Sequence, residues 1–327
     1  MSGTVHTLLQ CPQPGASSAI DGDFPVDENV TAHLPEGARV LSAHRYGSSA
    51  WTITARITTE LADGSVKKFF LKCATEDAGH AMMEGEYWAM MELYKTIPAG
   101  IPKPLARGKF QTEIPATYFF LCEFAEMSNQ VPDPDRLCAL ITELHRKSVS
   151  PTGKFGFHVR TCNGRTPQAT EWDSSWTSFF SKFMIHVMAE DFKTNGSWPE
   201  LERTGARIVS QVIPRLVGVL ETEGRSVKPC LIHADLWEGN TGTSYETGDI
   251  ILFDAGSYYA HNEMEIADWR CPYNKVNSKI YTKTYLRNYG MSEPAEEWDD
   301  RNRLYSTYYD VVYSVNHMLQ GRSVRQM

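Results

Sequence analysis

The sequence predicts an α+β chain of two lobes, a small β-rich N-lobe at residues 30–125 and a larger, mainly helical C-lobe at 126–327, preceded by a flexible arm at 1–29. Three observations carry this prediction. Apolar and polar residues alternate at period two, the mark of a half-buried strand, chiefly before residue 125. From residue 134 onward apolar residues recur at helical spacing instead. One strongly β-type interruption, residues 230–254, sits inside this helical half. With 327 residues, of which 42% are hydrophobic and 22% charged, the chain can build a sizeable core without disulfides or structural metals.

The first 25 or so residues are rich in Gly, Pro, Ser and Gln and lack periodicity, which predicts a mobile arm and folded structure from Val30. Residues 51–57 alternate Trp51, Ile53, Ala55 and Ile57 with Thr52, Thr54, Arg56 and Thr58, and 68–73 (KFFLKC) form a second strand. Asp63-Gly64 supplies the hairpin turn between them. Residues 78–95 then carry a helical stripe of Met82, Ala89, Met90 and Leu93. Ile101-Pro102-Lys103-Pro104 breaks that run, and residues 118–122 give another β segment leading to Glu123 and the lobe boundary. Beyond it, 134–148, 173–194, 199–222 and 296–320 have helical spacing.

Composition narrows the function classes. The 32 Lys and Arg against 40 Asp and Glu leave a net charge of -8, the wrong sign for a surface that attracts nucleic acid. No run approaches the roughly 18 to 20 apolar residues of a spanning helix, so no membrane partner is expected. The N-terminus has neither the basic nor the apolar region of a secretory signal. Seven scattered cysteines without a C-x-x-C pair argue against a disulfide framework or a thiolate zinc site and favour a cytoplasmic setting.

The β interruption holds the most specific signal. His233, Asp235 and Asn240 fit H-x-D-x-x-x-x-N, and 14 residues beyond Asn240 the apolar run 250–253 ends in Asp254. This is the pattern of phosphoryl-transfer enzymes of the protein-kinase type, where one carboxylate orients and deprotonates a hydroxyl and other oxygen ligands hold Mg²⁺ against nucleotide phosphates. Lys72, inside the second strand, needs a partner or a ligand if buried. Glu86 shares the apolar stripe of the following helix, whereas Glu84 groups with His80, Trp88 and Met91, so Glu86 is the expected partner. Gly47, Ser48 and Ser49 precede the first strand and form a minimal candidate phosphate cover, unlike either a P-loop or a G-x-G-x-x-G loop.

Residues 233–240 (HADLWEGN) resemble the HGDLWSGN signature of the fructosamine/ketosamine kinases, relatives of the aminoglycoside and choline phosphotransferases with a protein-kinase-like fold. Residues 69–72 (FFLK), 85–86 (GE), 101–104 (IPKP), 155–157 (FGF), 164–168 (GRTPQ) and 176–180 match as well, and 254–263 (DAGSYYAHNE) is similar to DPASYYGHRE, so the resemblance covers about 40–320. It implies that Asp235 is the catalytic base, that Asn240 and Asp254 bind Mg²⁺, and that Lys72 holds the phosphates of ATP. It also implies that the segment after Glu123, including Ala125, binds adenine. Trp237, His261 and Glu263 would shape the acceptor pocket, with His233 and Glu238 beside them in the motif. The implied reaction phosphorylates the 3-hydroxyl of a ketosamine, a fructosamine or ribulosamine, free or on a protein lysine, and leads to loss of the adduct. Departures cluster on the acceptor side: Ala234 for Gly, Glu238 for Ser, Ala255-Gly256 for Pro-Ala and Asn262 for Arg; on the nucleotide side, the phosphate-loop cysteine of some family members has no match between 45 and 51.

Two other readings use the same residues. A metal-dependent hydrolase would draw ligands from His233, Asp235, Asp254, His261 and Glu263 but leaves Lys72, Glu86 and Asn240 unexplained. A small-molecule O-kinase for an amino sugar or secondary metabolite keeps every position and changes only the acceptor. On charge grounds Glu238 and Glu263, placed around the base, favour an acceptor with an amine close to its hydroxyl.

Overall fold

Strands with apolar residues on both faces need cover on both, and the architecture of the N-lobe follows from that need. The computed structural model describes residues 21–47 and 49–317. Strands β1 (Arg39–Arg45), β2 (Ile53–Glu60), β3 (Val66–Thr75), β4 (Pro104–Lys109) and β5 (Thr117–Glu123) form an antiparallel sheet in the order β1-β2-β3-β5-β4. Period-two alternation sends Ile53, Ala55, Ile57, Phe69, Leu71, Cys73, Phe119 and Leu121 to the outer face. Ala74, Phe120 and Cys122 face inward, where helix α2 (Glu76–Thr96, numbered after the short α1 at Glu28–Thr31) meets them through Met83, Ala89, Met90 and Leu93.

The outer face corrects the expected arm. Phe24, Val30 and Leu34 pack onto it, Asp21 bridges Ser42, and the N–H of Phe24 donates to Ala43 O at 3.2 Å. Asp27 caps α1 through the N–H of Asn29, and Asp23 accepts from the N–H of Arg45. Residues 21–29 therefore belong to the folded N-lobe, and 1–20 lie outside the described residues. Composition concealed this because a single aromatic, not a periodic pattern, supplies the cover.

After β5 the chain crosses into the C-lobe and forms β6 (Met127–Ser128) and α3 (Pro134–Lys147), then the hairpin of β7 (Cys162–Asn163) and β8 (Thr166–Pro167). Helices α4 (Trp176–Asn195), α5 (Pro199–Arg207) and α6 (Ile213–Leu216) follow. The expected single helix at 199–222 is broken by a π-type turn at Ile208–Val212, because Pro214 has no N–H to continue the ladder. The β interruption becomes β9 (Cys230–Ile232), β10 (Thr241–Ser244) and β11 (Ile250–Leu252), with β12 (Tyr258–Ala260) pairing β9 and β10 lying between β11 and β6. Short α7 (Asn262–Glu265), then α8 (Lys279–Tyr289) and α9 (Trp298–Asn316), complete the lobe. Strands β1 and β4 and helix α8 were not expected: β4 carries Pro104 and Gly108, and α8 buries Tyr281, Thr284 and Tyr285, residue types that favour strands.

Helix α2 ties the lobes together. A side chain at Gly85 would put its Cβ 2.8 Å from Arg160 O and 2.9 Å from Thr161 Cα, so the missing side chain lets α2 seat directly on a C-lobe segment.

Phe24→Ala should cost about 3 kcal/mol in urea-monitored unfolding, the usual penalty for an emptied aromatic site, while Val149→Ala, at a position 75% exposed, should stay within about 0.5 kcal/mol. Equal effects would return residues 21–29 to a detached arm.

Candidate active site

The site is organised by the loop that leaves β9. Buried Glu265 accepts the backbone N–H groups of His233 at 2.5 Å and Ala234 at 3.0 Å, and His145 stands 3.6 Å from the same carboxylate. Burial would raise the Glu265 pKa, but His145 and the other donors outweigh it and hold the group below its ordinary range. Ala234 adopts φ 69°, the left-handed region, and its carbonyl accepts from Asn163 Nδ2 at 3.1 Å. This turn directs the Asp235 carboxyl into the cleft. Asn240 Nδ2 donates to both Asp235 O and Asp235 Oδ2 at 2.8 Å, and Asn163 Nδ2 lies 3.4 Å from Oδ1. Burial, followed by the nearby charge of Asp254, pushes the Asp235 carboxyl up to about 7.

Facing it is a buried charge cluster. Lys72 Nζ lies 2.8 Å from Glu86 Oε2 and 2.6 Å from Asp254 Oδ1. Glu86 is the lysine's partner, as helical geometry predicts, and Glu84 pairs instead with half-exposed Arg107 at 2.8 Å. Burial opposes the charge on Lys72, but Asp254 and Glu86 outweigh it and hold the ammonium above its ordinary range. One cation cannot fully serve two carboxylates. The more deeply buried Glu86 is pushed up by burial, while Lys72 holds Asp254 down against its own burial.

These groups border an interlobe cleft of about 1030 Å³. Gly47, Ser49, Lys72, Glu86 and Ala125 line it, as do Asp235, Trp237, Glu238, Asn240 and Asp254. Ser49 turns its oxygen inward, accepting the hydroxyl of Thr52 at 2.8 Å and the N–H groups of Trp51 and Thr52. Ser48 lies outside the described residues.

Four expected site residues do not line the cleft. Glu123 turns away to pair with Lys67 at 2.5 Å, although the chain just beyond it reaches the cleft at Phe124 and Ala125. His233 is fully buried and donates from Nε2 to Phe253 O at 2.9 Å, with burial keeping it neutral. His261 bonds the Tyr305 hydroxyl at 3.0 Å and Ser292 Oγ at 2.8 Å, and burial lowers its pKa to about 4. Glu263 is buried against Arg301, with Oε2 3.0 Å from Nε. The polar atoms of His233, His261 and Glu263 are spent inside the C-lobe, which corrects the expectation that these three serve the acceptor pocket, and the Glu123 side chain is spent on Lys67 within the N-lobe, which corrects its expected part in nucleotide binding. Conversely, Asn163, Asp268, Tyr273 and Tyr313 line the cleft without having been singled out, because each sits outside any motif.

The donor types suit a hard cation: Asp254 and Asn240 both line the cleft, with a carboxylate and an amide oxygen to offer, and Lys72 beside Asp254 suits phosphate. Among the described residues no three His, Cys, Asp or Glu side chains are arranged as a metal cage of their own.

The fructosamine kinase family model matches residues 49–323. The chain belongs to that family. A chloroplastic protein-ribulosamine 3-kinase of Oryza sativa subsp. indica is 30% identical over 201 residues, a match covering 60% of this chain and 54% of the rice protein. The chain therefore spans about half the length of that relative. A crystal structure assigned to fructosamine-3-kinase from Haemophilus somnus 129PT superposes with a TM-score of 0.69 at 20% identity, covering 91% of this chain and 93% of that one. A thermostable mutant of aminoglycoside phosphotransferase APH(4)-Ia, in ternary complex with AMP-PNP and hygromycin B, gives 0.59 at 14% identity, covering 91% and 92%. This fructosamine kinase family member has the protein-kinase-like fold of those neighbours, as the sequence predicts.

Glu86→Gln should raise the KM for ATP severalfold with the fold intact, since Lys72 loses the partner that holds it, whereas Glu84→Gln should change it less than about twofold. Initial rates against ATP concentration check this, and equal effects would remove Glu86 from the site.

Proposed function

We propose that the protein is an ATP- and Mg²⁺-dependent kinase that phosphorylates a sugar hydroxyl of a ketosamine. The observation that carries this is the Asp235 carboxyl, held by Asn240 and Asn163 at the cleft wall opposite the Lys72–Asp254 pair. Family membership and the rice relative's name support the ketosamine, and the nucleotide analogue in the aminoglycoside phosphotransferase complex supports ATP.

ATP with Mg²⁺ supplies the phosphoryl group and neutralises the charge on its oxygens. Lys72 binds the phosphates and Glu86 holds Lys72 extended across the sheet. Asn240 and Asp254, both lining the cleft, would hold the metal ion, and Ala125 would border the adenine. Asp235 orients the acceptor hydroxyl and takes its proton onto a carboxylate oxygen. Trp237, 38% exposed, and Glu238 form the near wall of the acceptor site. Glu263 is neutralised by Arg301, so the charge argument for an amine now rests on Glu238 among the two glutamates. The acceptor is then a small ketosamine or a glycated protein. The free thiols of Cys122, Cys138, Cys162, Cys230 and Cys271 support a reducing, cytoplasmic setting, and no helix among the described residues is long and apolar enough to cross a membrane.

Asp235→Asn should lower kcat by about 10²- to 10⁴-fold while ATP still binds, read by ATP consumption and nucleotide titration. A variant keeping more than about half of the wild-type rate would remove Asp235 from the chemistry. Because Asp235 must be ionised to accept a proton and titrates near 7, kcat/KM for the acceptor should rise with pH and level off above neutrality. A profile that falls through this range would reverse the assignment of base. A 1-deoxy-1-amino ketose should also outperform the matching free ketose. Equal kcat/KM for the two would move the reading to an O-kinase of other metabolites.

A further inference from the structure

Beyond Asp235 the cleft has a wall that the proposed chemistry leaves unused. The rings of Tyr273 and Tyr313 stack with centroids 4.0 Å apart and planes 15° apart, and Tyr313 stacks on His317 at 4.0 Å and 20°. His317 meets Trp51 edge-on at 6.5 Å, so the ladder runs from the segment after α7, through the end of α9, to the loop ahead of β2. All four rings line the cleft and all four are half-buried. Tyr313 is sandwiched between Tyr273 and His317 and offers its edge, whereas Tyr273 and His317, at the two ends of that stack, each keep one face that the stack does not cover, and together they form a platform for a flat apolar group beside the cleft.

The same wall carries two carboxyls. Glu238 Oε2 accepts the N–H of Lys275 at 2.7 Å. Asp268 is 4% exposed, and its Oδ1 accepts from Asn274 Nδ2 at 3.0 Å, while Oδ2 has no hydrogen-bond partner. Burial, followed by the nearby charge of Asp235, holds the Asp268 carboxyl well above its ordinary range, and a cation arriving beside it favours the ionised form.

We infer that this wall is a subsite for the substituent on the acceptor's amine, taking an ammonium at Asp268 and Glu238 and an aromatic ring against the outer face of Tyr273 and the edge of Tyr313. The preferred acceptor is then a small ketosamine of an arylalkyl amine, not a glycated protein lysine. This rests on the ketosamine reading above and deepens it. An ammonium between carboxylates and ring faces is favoured by both. A lysine acceptor would bring peptide N–H and C=O groups towards rings that offer them few partners, which is unfavourable.

The test compares ketosamines that share one ketose and differ in the amine: phenylethylamine, butylamine and Nα-acetyl-lysine amide. The phenylethylamine adduct should exceed the other two in kcat/KM by about threefold to tenfold, the range expected for one added aromatic contact. Tyr313→Leu, which keeps an apolar side chain on α9, should bring that ratio to about one. Asp268→Asn should raise KM for all three adducts about tenfold with a smaller change in kcat. A wild-type enzyme that prefers the lysine or butylamine adduct, or treats all three alike, overturns the subsite, as does an unchanged ratio in Tyr313→Leu. Turnover of none of the three, with ATP bound, overturns the ketosamine reading itself, and the two failures are thus distinguishable.

Discussion

The structure is organised around one buried cation. Lys72 comes from the middle of β3, Glu86 from α2 and Asp254 from the segment after β11, so a single ammonium joins the sheet, the helix and the C-lobe. Removing one partner of such a group typically costs about 3–5 kcal/mol, because the charge left behind has no solvent to turn to. That penalty constrains the surroundings. Glu86 must face the sheet, which puts Gly85 towards the C-lobe, where only a glycine admits the approach of Arg160 and Thr161. The lobes are thereby set at the distance the cation requires, and the cleft between them is the space that remains.

A second constraint acts on the C-lobe side, where the geometry is held by backbone hydrogen bonds. Ala234 and Asp254, neither of them glycine, both sit at positive φ, 69° and 60°. Each such residue costs roughly 1 kcal/mol or more and persists only where neighbours over-determine it. For Ala234 the neighbours are Glu265 on its N–H and Asn163 on its carbonyl. Asp254 has Lys72 on its side chain, and two residues on, the N–H of Gly256 donates to His233 O at 3.1 Å. The strain lies on either side of Asp235, and the buried carboxylate of Glu265 keeps the loop from relaxing.

How much of this was legible in the sequence depended on how local each feature is. The hairpin of β2 and β3, the α2 stripe and the choice of Glu86 over Glu84 follow from spacings of two, three and four residues. Asp235, Asn240 and Asp254 come from one short stretch whose order is itself the signal. His261 and Glu263 were misplaced because their partners, Tyr305 and Arg301, lie about 40 residues downstream on α9, where no spacing rule reaches. Phe24 was missed for the same reason: its value lies in the face it covers, which exists only once five strands have paired. Thiol content, charge and hydropathy bound the classes of function without touching the site.

The same division separates reaction from specificity. The groups proposed for the chemistry are written within residues 233–254 plus Lys72 and Glu86, and this chain keeps every one of them. The acceptor side proposed above draws on Trp51, residues 268–275 and the end of α9, three regions far apart in sequence that line one cleft. Glu238 joins the two. Where the family signature has Ser, this longer side chain reaches the N–H of Lys275 at 2.7 Å and ties the motif loop to the segment bearing Asp268 and Tyr273. A serine oxygen, two bonds shorter than a glutamate carboxylate, would not span that gap from the same backbone. The departure from the signature thus acts as a strut as well as a charge, anchoring a cleft wall that the local motif does not itself encode.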